Sequence, residues 1–218
     1  EMDGLLIPGN CPDDYDGGRI ERIDLSTGKV ERVLDTVEGH KLKGPNDLVF
    51  DKAGNLYFTD HGKTYSRHRD FGGLFFLANG ASEASELDFH YTSPNGVGLS
   101  PDEQTVYVSQ SDPEAPVILR MAPDGSGADI LFDAAAYMSD DAPGLPDGMA
   151  VARSGHICAT GPGGVFILSP AGKALARINT GKATANCCFG DADGQTLYIT
   201  AHDTLVRIRT NLRGVAWS

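Results

Sequence analysis

The sequence predicts an all-β protein, a β-propeller assembled from four-stranded antiparallel blades. Two observations predict it. One is an internal repeat of a strand–turn–strand unit with a polar head. The other is 27 Gly and 12 Pro in 218 residues, spread along the chain as many short strands and turns require. The repeat is plainest in GPNDLVFDKAGNLYFTD, residues 44–60. It recurs as SPNGVGLSPDEQTVYVSQ from Ser93, LPDGMAVARSGHICATG from Leu145 and TANCCFGDADGQTLYITAH from Thr184. Each copy opens its first strand on Asn or Asp: Asn46, Asn95, Asp147 and Asn186. The heads are 49, 52 and 39 residues apart. That spacing fits blades of about 40 to 50 residues.

The chain begins with MDGLLIPGN, GGRIERIDLS and KVERVLD, which read as the second, third and fourth strands of a blade without its first. Each later unit adds outer strands. GGLFFLANG and SELDFH follow Asp60, APVILRMAPDG and ADILFD follow Gln110, and GGVFILSPAG and KALARIN follow Thr160. The last unit ends with DTLVRIRTNL and lacks a fourth strand. Apolar runs rather than strict alternation suit sheets covered on both faces by neighbouring blades. A propeller must close, because open ends would expose apolar sheet. The expectation is a single domain over 1–218, incomplete at its N-terminus and covering about four and a half to five blades. Eight residues after three of the heads stands a Gly (Gly54, Gly155, Gly194), which supplies the positive φ of a tight turn. Glu103 holds the fourth such position, so strain or a different turn is expected there. AAAYMSDDAPG, from Ala134, is the one helix-like stretch and reads as a short turn entering a loop.

Composition narrows the function classes. A net charge of −12 offers no basic stripe for nucleic acid or an anionic membrane. No apolar run approaches the roughly 18 residues that span a bilayer. A soluble protein is expected, with the cytoplasm favoured over periplasm or secretion. Cys11, Cys158, Cys187 and Cys188 show no CxxC spacing, and adjacent Cys187 and Cys188 point to opposite faces of a strand. All four read as small apolar fillers rather than a disulfide or zinc set.

In a propeller the first strands line the central channel, so the four heads converge at one mouth. One carboxylate and three amides all offer oxygen, which suits a hard cation such as Ca²⁺. The heads carry neither His nor Cys, which argues against a dedicated zinc site. The alternative is that Asn and Asp cap the strand entry through bonds to nearby backbone. Second strands return to the same mouth, ending at Asp60–His61, Gln110, Thr160 and His202. Asp60 is expected beside Asn46 and His202 near Asn186, as candidate acid–base groups. For His61 and His202 a loop histidine bonded to backbone is the competing reading. HGKTYSRHRDFGG, from His61, reads as a long polar loop, either a lid or a solvated excursion.

Taken together, GPNDLVFDKAGNLYFTDHG, SPNGVGLSPDEQTVYVS, LPDGMAVARSGHICATGPGGV and ATANCCFGDADGQTLYITAHDTLVRI resemble the gluconolactonase/regucalcin-like family of six-bladed propellers. NCPDDYDGGRIERIDLSTGKVERV is similar to a further family segment. The resemblance implies that Asn95 and Asp147 are divalent-metal ligands, with Asp147 also the general base. It implies a catalytic role for Asp60. Asn46 matches the substrate or metal-water position, and Asn186 and His202 match channel-lining, substrate-side positions. The implied cofactor is Ca²⁺, with Zn²⁺, Mn²⁺ and Mg²⁺ as alternatives. The family's metal-binding Glu, in an EGP-type motif of the first blade, has no counterpart here. Its absence adds to the expectation of a missing front segment. The implied activity is metal-dependent opening of a sugar-type or other small lactone by a monomer or weak dimer. An organophosphate-hydrolysing propeller and a non-catalytic ligand-binding propeller are the alternatives.

Overall fold

The computed structural model describes residues 15–215. Among them, regular structure is almost entirely β-strand, and the helix-like stretch is a single 3₁₀ turn at Ala135–Tyr137. The chain divides into two compact units, Glu1–Pro94 and Asn95–Ser218.

The first unit pairs β1 (Ile20–Ile23) with β2 (Val30–Leu34), the two strands expected in GGRIERIDLS and KVERVLD. The strand expected in MDGLLIPGN lies outside the described residues. A small hairpin follows, β3 (Thr36–Val37) and β4 (His40–Lys41). Its two turn residues, Glu38 and Gly39, both have positive φ, as the tightest hairpin turns require. Then β5 (Pro45–Phe50), β6 (Leu56–Asp60), β7 (Gly72–Leu77) and β8 (Ser85–Tyr91) form a four-stranded antiparallel meander. The inner strand LYFTD is buried throughout, which is why its apolar residues run together instead of alternating. Phe58 stacks on Phe75 at 5.3 Å, and Ile20, Leu34, Leu56 and Leu77 close the cluster around them.

In the second unit, β9 (Pro94–Leu99), β10 (Val106–Gln110), β11 (Val117–Met121) and β12 (Asp129–Asp133) form one meander. A second comprises β13 (Met149–Val151), β14 (Ile157–Gly161), β15 (Gly164–Leu168) and β16 (Ala174–Asn179). The third has, among the described residues, three strands, β17 (Thr184–Gly190), β18 (Thr196–Ala201) and β19 (Thr204–Arg209). Apolar clusters join each sheet to the next. Ile118 and Phe132 of the first sheet pack on Ile157 and Phe166 of the second. Cys158 and Val165 of the second pack on Leu197 and Ile199 of the third. Burial pushes the Cys158 thiol up to about 12, so it behaves as an apolar filler. Cys187 is buried and Cys188 exposed, the opposite-face placement expected of neighbours on a strand.

The inner-hairpin turns all use the left-handed region at one position. Gly54, Gly155 and Gly194 have φ of 82°, 79° and 65°, and Glu103 has 60°. The strain anticipated at Glu103 is therefore present. A tight bond from its N–H to the Ser100 carbonyl (2.8 Å) holds it, with Ser100 Oγ donating to Asp102 (2.6 Å).

Candidate functional site

The first strand of each repeat is held by a hydroxyl from the second. Asp47 N–H donates to Thr59 Oγ1 (3.2 Å), Gly96 N–H to Ser109 Oγ (2.8 Å), Asp147 N–H to Thr160 Oγ1 (3.1 Å) and Asn186 N–H to Thr200 Oγ1 (3.0 Å). Each hydroxyl also reaches a carbonyl of the same strand, for example Thr160 to Gly148 O (3.0 Å) and Thr200 to Asn186 O (3.2 Å). The ladder breaks at the heads: the register shifts between Pro45 and Leu48 and between Thr184 and Asn186. A bulge leaves one residue outside the ladder and re-aims its side chain. The hydroxyl satisfies the backbone groups that the bulge releases. Of these four hydroxyls the sequence reading names Thr160 alone, as a second-strand end, and gives none of them this holding role. Their signal was present, a Ser or Thr thirteen or fourteen residues after each head.

In the second unit three heads are tied together. Asn95, 7% exposed, donates from Nδ2 to Ser111 Oγ at 2.9 Å. Ser111 Oγ donates to the Pro146 carbonyl at 2.5 Å, next to Asp147. Ser109 Oγ bonds the Asp147 carbonyl as well. The strands approach so closely that only glycine fits. A Cβ on Gly96 would lie 2.2 Å from the Asp147 carbonyl oxygen, and one on Gly148 would lie 2.2 Å from Asn186 Cγ. Asn95, Asp147 and Asn186 thus stand side by side at the ends of three adjacent inner strands.

Their donor atoms differ. Ser111 takes the amide nitrogen of Asn95. Asn186 accepts its neighbour's N–H, from Cys187, on Oδ1 at 2.8 Å. Asn186 is exposed and Asp147 half-buried. His202 was expected near Asn186; the register pairs Asn186 with Thr200, two residues before it. His202 occupies the tight turn between β18 and β19, with φ 53°, and its ring lies 3.7 Å from the Asp203 carboxylate.

In the first unit, Asn46 is half-buried and sits with Asp47 where the ladder breaks. Asp60 pairs across the hairpin with Pro45, adjacent to Asn46 as expected. Its carboxylate, however, accepts three backbone N–H groups: Lys43 (2.6 Å), Gly44 (2.7 Å) and Gly62 (2.8 Å). Asp60 is 5% exposed. Burial pushes its carboxyl above the usual range, and the three amide donors pull the other way. His61 bonds Gly44 O through its own N–H (2.8 Å). Burial, with the charges of Arg69 and Lys63 beside it, pushes its imidazole down to about 4. The polar loop after it is anchored: Thr64 bridges Arg69, and Arg69 reaches the Thr92 carbonyl and Ser93.

Residues 16–203 match the family model SMP-30/Gluconolactonase/LRE-like region. The chain is 37% identical over 210 residues to a gluconolactonase from Zymomonas mobilis, covering 89% of this chain and 58% of that protein. The chain therefore spans somewhat over half the length of that relative. Among solved structures, a gluconolactonase from Xanthomonas campestris superposes with a TM-score of 0.73 at 28% identity, over 90% of this chain and 65% of that one. Regucalcin from Agrobacterium tumefaciens, described as a calcium-binding protein, superposes with a TM-score of 0.64 at 18% identity, over 93% of this chain and 72% of that one, a likeness of fold. Successive antiparallel meanders with buried inner strands, matched by these structures, are the blades of a β-propeller, and the chain belongs to the SMP-30/gluconolactonase/LRE-like family.

Proposed function

We propose that the protein is a divalent-cation-dependent hydrolase that opens a small, sugar-type lactone. The observation that supports this reading is the bridge from Asn95 through Ser111 to the Pro146 carbonyl, which ties the Asn95 amide to the backbone just before Asp147. Among the described residues no three His, Cys, Asp or Glu side chains gather at one point. A cation bound here would draw on amide oxygen and one carboxylate, a donor set that fits a hard ion of the Ca²⁺ class. Asn95 and Asp147 are the residues that would hold it. When bound, such an ion polarises an ester carbonyl and offsets the charge that develops on its oxygen.

The chain's own groups then do the following. The Asp147 carboxylate takes a proton from the attacking water as the water oxygen bonds to the carbonyl carbon. It returns that proton to the ring oxygen as the ring C–O bond breaks, leaving a hydroxy acid. Asn186 has its Oδ1 engaged by the Cys187 N–H, so it turns its NH₂ outward, a donor suited to sugar hydroxyl oxygens. Asn46 and His202 are assigned to substrate contact by the family resemblance. Asp60 we assign to the loop, because three amides occupy its carboxylate. The 37% identity to a gluconolactonase supports the substrate class.

Hydrolysis of an aldonolactone, followed by acid release with and without a chelator, tests this reading. Activity is expected to vanish on chelation and return with Ca²⁺. Full activity in chelator would overturn it.

A further inference from the structure

We infer that Ser111 is a positioning residue that fixes which end of the Asn95 amide faces the site. The inference rests on the cation reading above and extends it to a residue outside the ligand set.

The argument is one of counting protons. The Pro146 carbonyl is an acceptor only. Ser111 carries one hydroxyl proton, and at 2.5 Å it goes to Pro146 O. Toward Asn95, the Ser111 oxygen can then only accept. The Asn95 atom 2.9 Å away must therefore be the amide nitrogen. The oxygen and nitrogen of an amide have nearly the same shape, so it is this chain of donors and acceptors that sets the orientation. With nitrogen on Ser111, the carboxamide oxygen is directed to the other side of the amide plane's axis. That orientation offers a cation a ligand. The flipped one would offer it an NH₂ that repels it.

The same hydroxyl has a second effect. Pro146 immediately precedes Asp147, so Ser111 ties the amide of one strand head to the backbone of the next. Ser111 thus joins Thr160 and Ser109 in setting the relative position of the two strand heads. Residues that orient ligands in this way typically change metal affinity about 10–100-fold when removed.

Calorimetric titration with Ca²⁺ tests the inference on wild type, Ser111→Ala, Ser111→Cys and Ser111→Thr. Ser111→Ala is expected to weaken Ca²⁺ binding about 10–100-fold. The rise in thermal midpoint on adding Ca²⁺, taken relative to the same variant in chelator, should shrink in step, a signature that a general loss of packing would not give. Ser111→Cys keeps the volume and weakens the donor, so it should also bind Ca²⁺ less tightly, and it stands in if the alanine variant does not fold. Ser111→Thr restores the hydroxyl and should recover most of the affinity. Wild-type Ca²⁺ affinity in both Ser111→Ala and Ser111→Cys would overturn the role of Ser111 alone. Failure of the wild type to bind Ca²⁺ would overturn the cation reading itself.

Discussion

Asp60 and Asp147 carry the same side chain, and both belong to the same repeated hairpin. Asp60 closes a second strand in the first unit, and Asp147 opens a first strand in the second. Asp60 is anchored through its carboxylate, which gathers N–H groups from Lys43, Gly44 and Gly62. The bonds that anchor Asp147 run through its backbone, from its N–H to Thr160 and from Ser109 to its carbonyl. A carboxylate used to organise a loop has little acceptor capacity left for substrate. Asp147 is positioned through its backbone by neighbouring hydroxyls. The two aspartates are thus held in different ways, one through its side chain and the other through its main chain.

The largest expected effect on stability comes from breaking the Asp60 side of that contrast. Asp60→Ala strands three N–H donors, and each buried unmet group costs roughly 1–3 kcal/mol. Denaturant unfolding should show a loss of at least about 3 kcal/mol. Unchanged stability would mean that the carboxylate is not what holds the loop.

A smaller effect is expected at Gly148. An added methyl would sit 2.2 Å from Asn186 Cγ and Oδ1, so Gly148→Ala must push Asn186 aside. Overpacking of this kind costs about 1–3 kcal/mol. Kinetics should show KM rising more than kcat falls, because a substrate donor moves while Asp147 stays pinned. An unaltered KM would remove Asn186 from substrate binding.

A further effect concerns acid stability. His61 is held neutral in the fold, with its imidazole pushed down from 6.5 to about 4. Between those values the unfolded chain binds the extra proton, so stability falls as pH falls. The contribution is complete above about 6.5 and is lost on the way down to about 4. His61→Gln should flatten the unfolding free energy over that window. An unchanged slope would show that His61 is open to solvent.

Much of this was legible in the sequence, and the remainder was hidden for identifiable reasons. The heads Asn46, Asn95, Asp147 and Asn186 stood out because repetition aligns them, and the left-handed turn at Glu103 followed from its alignment with three glycines. The hairpin at Glu38–Gly39 escaped notice because Glu is an uncommon residue at positive φ. The hydroxyls of Thr59, Ser109, Thr160 and Thr200 were visible as residue types. Their function depends on the bulge that turns backbone groups toward them, which is a matter of register rather than composition. The three amide bonds to Asp60 were hidden for a similar reason. An aspartate at a strand end reads alike whether it awaits substrate or binds the amides of a loop seventeen residues upstream. The place of His202 in the tight turn after Ala201, just past the paired positions, depends on the register of that hairpin.

The most direct test of the account is Asp147→Asn, with lactone hydrolysis and unfolding free energy measured on the same preparation. The backbone bonds that anchor residue 147 are untouched by this change, so stability should move by less than about 1 kcal/mol. Loss of the proton acceptor should lower kcat by about 10²–10⁴-fold. A stable variant that still hydrolyses the lactone at the wild-type rate would contradict the account.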